Sequence, residues 1–176
     1  MNNFDPGHPL PDESQGNFAT YVNLVPAGNI MHILQAQFDA TRELLAPLTT
    51  QQATYRPKPD DWNIVQVVGH MADTERVFAY RAMRFARNDP TALAGFDQDL
   101  FVNNADFESR DLTSVLGEFG AVRTATIALL SNLPEAAWVR RGIASDMTLS
   151  VRALAYAIAG HELHHVTDFR NRYGLV

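Results

Sequence analysis

The sequence predicts an all-α protein built as a four-helix bundle. Three observations carry that expectation. Four segments of about 20 residues repeat apolar side chains at i, i+3 and i+4, the spacing that lays one apolar stripe along a helix. Each segment is closed by proline, glycine or an Asn/Asp pair, which end helices through a missing N–H, the left-handed conformation or side-chain capping. Nothing between the segments alternates with the period of two that a half-buried strand requires. Four such helices bury their stripes most economically against one another.

Residues 1–25 read as a flexible arm. Pro6, Pro9 and Pro11 block a continuous helix there, and Gly7 and Gly16 loosen the backbone. Residues 26–176 are the bundle domain. Its first helix runs from about Ala27 to Leu48, with Ile30, Ile33, Leu34, Phe38, Leu44, Leu45 and Leu48 in its stripe and Pro47 near its end. A loop holding Pro57 and Pro59 leads to Asn63, a good N-cap for a second helix that stops around Asn88, Asp89 and Pro90. Residues 90–110 then read as a long irregular loop. A loop of about 20 residues inside a compact domain usually serves function. Phe96, Asp97, Asp99 and Phe101 are its candidates to cover a pocket mouth.

The third helix covers Leu112 to Asn132, with Val115, Leu116, Phe119, Val122, Leu129 and Leu130 in its stripe, and Pro134 closes it. The fourth begins near Thr148, a candidate N-cap, and ends at Gly174. The connections, of roughly 13, 22 and 15 residues, are long enough for crossovers, so a simple up-and-down order is not forced.

The composition narrows the chemistry. The 176 residues are 46% hydrophobic and 19% charged, an ordinary globular balance, with a formal net charge of -6. That balance argues against electrostatic capture of nucleic acid or an anionic membrane. There is no cysteine. Disulfides, thiolate metal sites, iron–sulfur clusters and cysteine nucleophiles are therefore excluded, and any thiol in the chemistry must arrive on a small molecule. Residues 1–24 lack a basic then apolar signal pattern, and no apolar run approaches about 18 residues, so the expectation is a soluble cytoplasmic protein.

Three of the six histidines lie in the run His161-Glu162-Leu163-His164-His165. His161 and His165 are one turn apart, about 40° around the helix, so both can reach one ion. His164 lies about 60° to the other side of His161, and an i, i+3 pairing of those two stays open from spacing alone. The preceding residues on this face, Leu154, Ala157 and Ile158, are apolar, so the face points into the bundle. Buried neutral imidazoles need partners, and one metal ion satisfies several at once. Satisfaction by carboxylates is the bland alternative. His70, midway along the second helix with Val67, Thr74 and Val77 on its stripe, offers a second inward imidazole. Three imidazoles from two helices leave an open position, the pattern of catalytic rather than structural sites. His8 and His32 read as ordinary solvated or capping residues.

The same run matches H-E-x-x-H, in which Glu serves a zinc protease as general base. The eleven residues after His165 contain neither His nor Glu to complete such a site, and Asn171 stands where an extended motif needs His. Asp73 and Thr74 lie within about 60° of His70 and are candidates to orient a ligand, with a solvated helix face as the alternative. Glu75 points elsewhere, to the surface or to another helix. Arg81 is on the His70 stripe, about 16 Å further along the axis, too far to touch an ion. A buried pair with a carboxylate is its expected role, ahead of receiving the anionic tail of a substrate. Trp62 is expected to staple the second helix to the core.

The stretches YRPKPDDWNIVQVVGHMADTE and TLSVRALAYAIAGHELHHVTDFR, with the looser GFDQDLFV and WVRRG, make the chain from Ile30 to Gly174 resemble the DinB/YfiT-like superfamily. The resemblance implies a four-helix bundle in up-down-down-up order, usually dimeric. It also implies a divalent metal held by His70, His161 and His165, with His164 beside the ligands or at the interface. Asp73 and Thr74 stand beside that set on helix geometry alone, as candidates to orient a ligand or as alternative ligands. Zinc or nickel is the expected ion, although imidazole suits copper and iron as well. The family's characterised members include thiol-dependent S-transferases and isomerases, and some are described as metal-dependent hydrolases. The implied activity is transfer of a low-molecular-weight thiol to a small electrophile. A hydrolase and a non-catalytic metal-binding stress-response protein are the alternatives. A small-molecule substrate and a second copy of the chain are the expected partners.

Overall fold

Asn29, Asn63, Asp111 and Ser150 each accept a hydrogen bond from the first turn of a helix, at 2.7–3.0 Å, and the four helices they start form the bundle. The computed structural model describes residues 4–176. In chain order its elements are α1 (Gly16–Leu24), α2 (Ile30–Leu45), α3 (Thr50–Ala53), α4 (Ile64–Ala86), α5 (Gln98–Asn104), α6 (Leu112–Ser131), β1 (Arg141–Ala144), β2 (Met147–Ser150) and α7 (Val151–Asn171). The four long helices are α2, α4, α6 and α7. Helix α4 packs on α6 and α7, and α2 packs on the same two. Consecutive long helices α2 and α4 therefore sit across the bundle from each other, as crossover connections permit. No helix among the described residues is long and apolar enough to cross a membrane.

The apolar stripes build two cores rather than one. The first surrounds the N-terminal half of α7 and includes Leu34, Phe85, Leu154, Tyr156 and Ile158. The second surrounds the N-terminal half of α4 and includes Val68, Met71, Phe119 and Phe169. Each fully buried side chain of this kind contributes about 1.5–3 kcal/mol. Along α4 the change from one cluster to the other falls between Ala72 and Phe78. Along α7 it falls between Ala159 and Phe169. The residues in those gaps include Thr74, Glu75, His161, Glu162 and His165, so a polar layer crosses the bundle at mid-height.

Four expectations need correction. The arm expected over residues 1–25 lies outside the described residues at 1–3, and over residues 4–25 it is not simply an arm: Pro11–Glu13 forms a 3-10 turn, and α1 buries Phe18 and Val22 against α7. Buried Glu13 anchors the turn by accepting from the Leu10 N–H at 2.6 Å and pairing with Arg152 at 2.6 Å. The helix comes close because residue 160 is glycine, where an added Cβ would stand 1.9 Å from the Tyr21 carbonyl oxygen. Between α6 and α7 lies a β-hairpin, Arg141 opposite Ser150 through Ala144 opposite Met147. Ser145 and Asp146 both take positive φ, +52° and +61°, in its turn. Such a turn is usually written Asn-Gly, so its sequence signal was missing. Ser150 rather than Thr148 caps α7, because Thr148 belongs to β2. Finally, residues 90–110 contain α5, whose N-cap is Asp97.

Candidate metal centre

His70 reaches the polar layer from α4, and His161 and His165 reach it from successive turns of α7. The His161 Nε2 lies 3.1 Å from His70 Nε2 and 3.1 Å from His165 Nε2. His70 and His161 are buried, 3% and 5% exposed, and His165 is half-buried. A neutral imidazole nitrogen offers either one proton or one lone pair. His161 Nε2 therefore cannot serve both neighbours well, and burial makes the mismatch costly. One cation facing three lone pairs satisfies all three. Two imidazole nitrogens bound to zinc at 2.0–2.1 Å and separated by this distance subtend about 100°, close to tetrahedral. The donor set and its geometry fit a divalent ion with at least one open position.

The surroundings keep these rings neutral and aimed. Burial first, and then the neighbouring His164, lowers the pKa of His70 to about 4. Burial also holds His161 and His165 well below the ordinary imidazole value, with the adjacent histidines adding to the effect. Neutral imidazole is the ligating form. Thr74 Oγ1 lies 3.4 Å from His70 Nδ1. With the His70 proton on Nδ1, that contact leaves Nε2 free to bind, the usual role of a group behind a ligand. Trp62 packs on the His70 ring at 5.0 Å, and Tyr21 meets the His161 ring edge-on at 5.3 Å. Trp62 thus does more than staple a helix. Tyr21 escaped the sequence reading because α1 did.

Beside His161, in the same polar layer between α4, α6 and α7, lies a buried ionic group. Arg123 of α6 donates from Nε and Nη2 to Glu75, at 2.7–3.1 Å, and its Nη1 donates to the Leu34 carbonyl at 2.6 Å. Its Nη2 is also 2.8 Å from Glu162 Oε2, while Thr41 donates to Glu162 Oε1 at 2.6 Å. Both carboxylates and the guanidinium are 1–3% exposed. Glu162, the would-be protease base, is thereby committed to Arg123 and Thr41. Burial raises its pKa against the pull of Arg123. Glu75 is the inter-helix partner of Arg123, not a surface residue.

Two cavities flank the histidines. One, of about 290 Å³, opens on the His165 side and is lined by His164, Asp60, Asp61, Asp99, Asp168 and Arg172. The other, of about 220 Å³, opens on the His161 side between Phe18, Tyr21, Phe78, Phe96 and Arg81. Gln98, at the start of α5, lines both. The 90–110 segment thus covers the site with a helix. Asp99 faces the first cavity, Phe96 faces the second, and Phe101 packs on Phe96 at 5.2 Å.

The remaining candidates separate. His164 is exposed, with Nε2 4.0 Å from Asp168 Oδ2. Together with His165 these two form a second, more exposed group of potential ligands. Asp73 turns to Arg76, 3.0 Å away, and does not join the three histidines. His32 is exposed. His8 is exposed too, with its ring 4.8 Å from Tyr156. Arg81 has no carboxylate partner among the described residues, which overturns its expected ion pair.

Compared with protein-family models, residues 33–168 match the DinB superfamily. No curated protein matches the chain. Among solved structures it is similar to YfiT from Bacillus subtilis, described as "a probable metal-dependent hydrolase with an unusual four-helix bundle topology". The TM-score is 0.75 at 17% identity, over 96% of this chain and 94% of that one. At that identity the likeness speaks for the fold.

Proposed function

The chain belongs to the DinB superfamily, and from that premise we propose that it is a metal-dependent transferase, in which His70, His161 and His165 hold one divalent ion and a small-molecule thiol is passed to a small electrophile. The convergence of three buried imidazole nitrogens between two separate cavities carries this reading. When bound, the ion supplies Lewis acidity, which ionises a nucleophile near neutral pH.

The chain's own groups do the rest. The acidic, water-accessible cavity beside His165 admits the polar nucleophile. His164, the imidazole there outside the trio, stands with Asp168 where the proton shed by a thiol can be taken up. Phe18, Phe78 and Phe96 give the cavity beside His161 apolar walls, which suit the apolar body of an electrophile. Trp62 and Thr74 fix His70. Two compartments favour a two-substrate reaction over hydrolysis, which needs room for one.

The second reading is a hydrolase, supported by the likeness to YfiT and its printed description. Metal analysis of the purified protein, followed by assays with thiol-plus-electrophile pairs and with esters and amides, separates the two. Metal-dependent turnover that requires the thiol supports transfer. Ester or amide turnover with the same metal dependence and no thiol requirement supports the hydrolase. Neither, in a metal-loaded protein, leaves a metal-binding protein without its own catalysis.

A further inference from the structure

Arg81 is 2% exposed and carries a charge that burial cannot remove. A buried charge without a counter-charge is costly, and buried arginines are ordinarily matched by carboxylates. None is supplied here. Nη2 donates to the Ala94 carbonyl and to Ser145 Oγ, each at 2.9 Å. Nε and Nη1 make no hydrogen bond among the described residues. The Phe78 and Phe96 rings lie 5.9 Å and 6.0 Å from Cζ, contacts that steady a cation without neutralising it. Burial depresses the guanidinium pKa, as it does where no opposing charge compensates.

The fold takes trouble to hold this arginine. Ser145 reaches it from a turn with positive φ, a conformation that costs a non-glycine residue energy and is typically kept where it serves a purpose. The Ser145 N–H donates to the Leu93 carbonyl at 3.0 Å, and the Leu93 N–H donates to the Ile143 carbonyl at 2.9 Å. The hairpin and the 93–94 backbone are thus locked together around one edge of the guanidinium. The same arginine lines the 220 Å³ cavity whose other end is walled by His161, and no carboxylate side chain lines that cavity. Helical side chains lean toward the N-terminus, so Arg81 leans back toward His70. Phe78 spans the interval, its ring 5.9 Å from Arg81 Cζ and 6.2 Å from the His161 ring.

We infer that the cavity between Arg81 and His161 is a binding site for a small carboxylate-bearing molecule, with Arg81 and Ser145 receiving the carboxylate and the aromatic walls enclosing an apolar body. A guanidinium fork matches a carboxylate in two parallel hydrogen bonds, and Nε and Nη1 are the groups left to make them. The far end of such a ligand lies at His161. The inference deepens the proposed function by naming its electrophile as an anionic one, and rests on that reading only for what happens at the His161 end.

Calorimetric titration of hexanoate and of its neutral isostere hexanamide into the full-length protein, with and without metal, tests it. Hexanoate should bind at least tenfold tighter than hexanamide in both forms. Arg81→Met should bring the ratio close to one. Equal affinities in the wild-type protein, or an unchanged ratio in Arg81→Met, would overturn the site. So would a preference that vanishes on metal removal, because the carboxylate would then be sitting on the ion. A chain that never takes up metal, yet prefers hexanoate, would sink the proposed function and leave this site standing. Should Arg81→Met not fold, the Arg81 Nε–H resonance of the wild-type protein decides instead. It should shift with hexanoate and not with hexanamide; no shift would overturn the assignment.

Discussion

The Nε2 atoms of His70 and His161 stand 3.1 Å apart across the α4–α7 interface, and His165 Nε2 is equally close to His161 on the other side. Two imidazoles bind a divalent ion far less tightly than three. His70→Ala or His165→Ala should therefore strip most of the metal from the purified protein, measured by elemental analysis. Helical circular dichroism should persist, because two apolar cores flank the layer. His164→Ala should keep its metal. Full occupancy in the first two variants would rule out the trio. Loss in the third would point to the exposed group of His164, His165 and Asp168.

The same three rings set an acid limit. In the metal-free fold His70 titrates near 4, against 6.5 in an ordinary environment. Its folded pKa is lowered, so between those values the unfolded chain binds more protons, and stability falls as pH falls. The loss begins below about pH 6.5 and amounts to about 3 kcal/mol from His70 once pH drops below 4. His161 and His165, shifted the same way, add to it. Metal occupancy should fall over the same direction of pH, since protons compete for the nitrogens. Urea midpoints between pH 7.5 and 4 check this. A slope as steep in His70→Ala as in the wild-type protein would contradict it.

The ion group behind the histidines should matter to stability rather than to metal uptake. Among the described residues Arg123 is the cation paired with both Glu75 and Glu162. Arg123→Met strands two buried carboxylates and should cost about 3–5 kcal/mol in denaturant unfolding. Glu162→Gln keeps the shape and the acceptor for Thr41 while removing the surplus negative charge, so it should cost much less. Equal losses in the two variants would mean that Arg123 acts through packing alone.

The bundle was legible because it rests on periodicity, whereas spacing left His161 open to either His164 or His165, and the trio with His70 followed from the family resemblance. The 3.6-residue repeat marks four stripes, and one-turn spacing puts His161 and His165 on one face. What escaped was tertiary or hidden in atypical residues. Helix α1 follows a proline-rich start, and what holds it is the space at Gly160, a contact 139 positions away from Tyr21 in the chain. The hairpin turns through Ser145-Asp146 without its usual Asn-Gly. Arg81 read as half of an ion pair because buried arginines usually are, and only the fold shows which carboxylates are elsewhere: Glu75 and Glu162 belong to Arg123.

Gly160 gives the clearest test of whether α1 belongs to the site. An alanine Cβ there would meet the Tyr21 carbonyl oxygen at 1.9 Å and its carbon at 2.4 Å, and backbone atoms cannot rotate away as a side-chain tip can. Alanine is the better helix former, so α7 itself gains slightly. The clash must therefore be relieved by moving α1. Overpacking of this kind costs about 1–3 kcal/mol, and displacing α1 also releases Phe18 and Val22 from the core. Tyr21 would leave the edge of His161, and the cavity beside Arg81 would lose the wall made by Phe18 and Tyr21. Gly160→Ala should thus lower the unfolding midpoint, open residues 14–28 to limited proteolysis and weaken hexanoate binding several-fold. Metal content should hold, because no atom of α1 ligates in the proposed centre. A variant as protease-resistant as the wild-type protein would show that α1 finds another seat, and that the glycine is not what holds it.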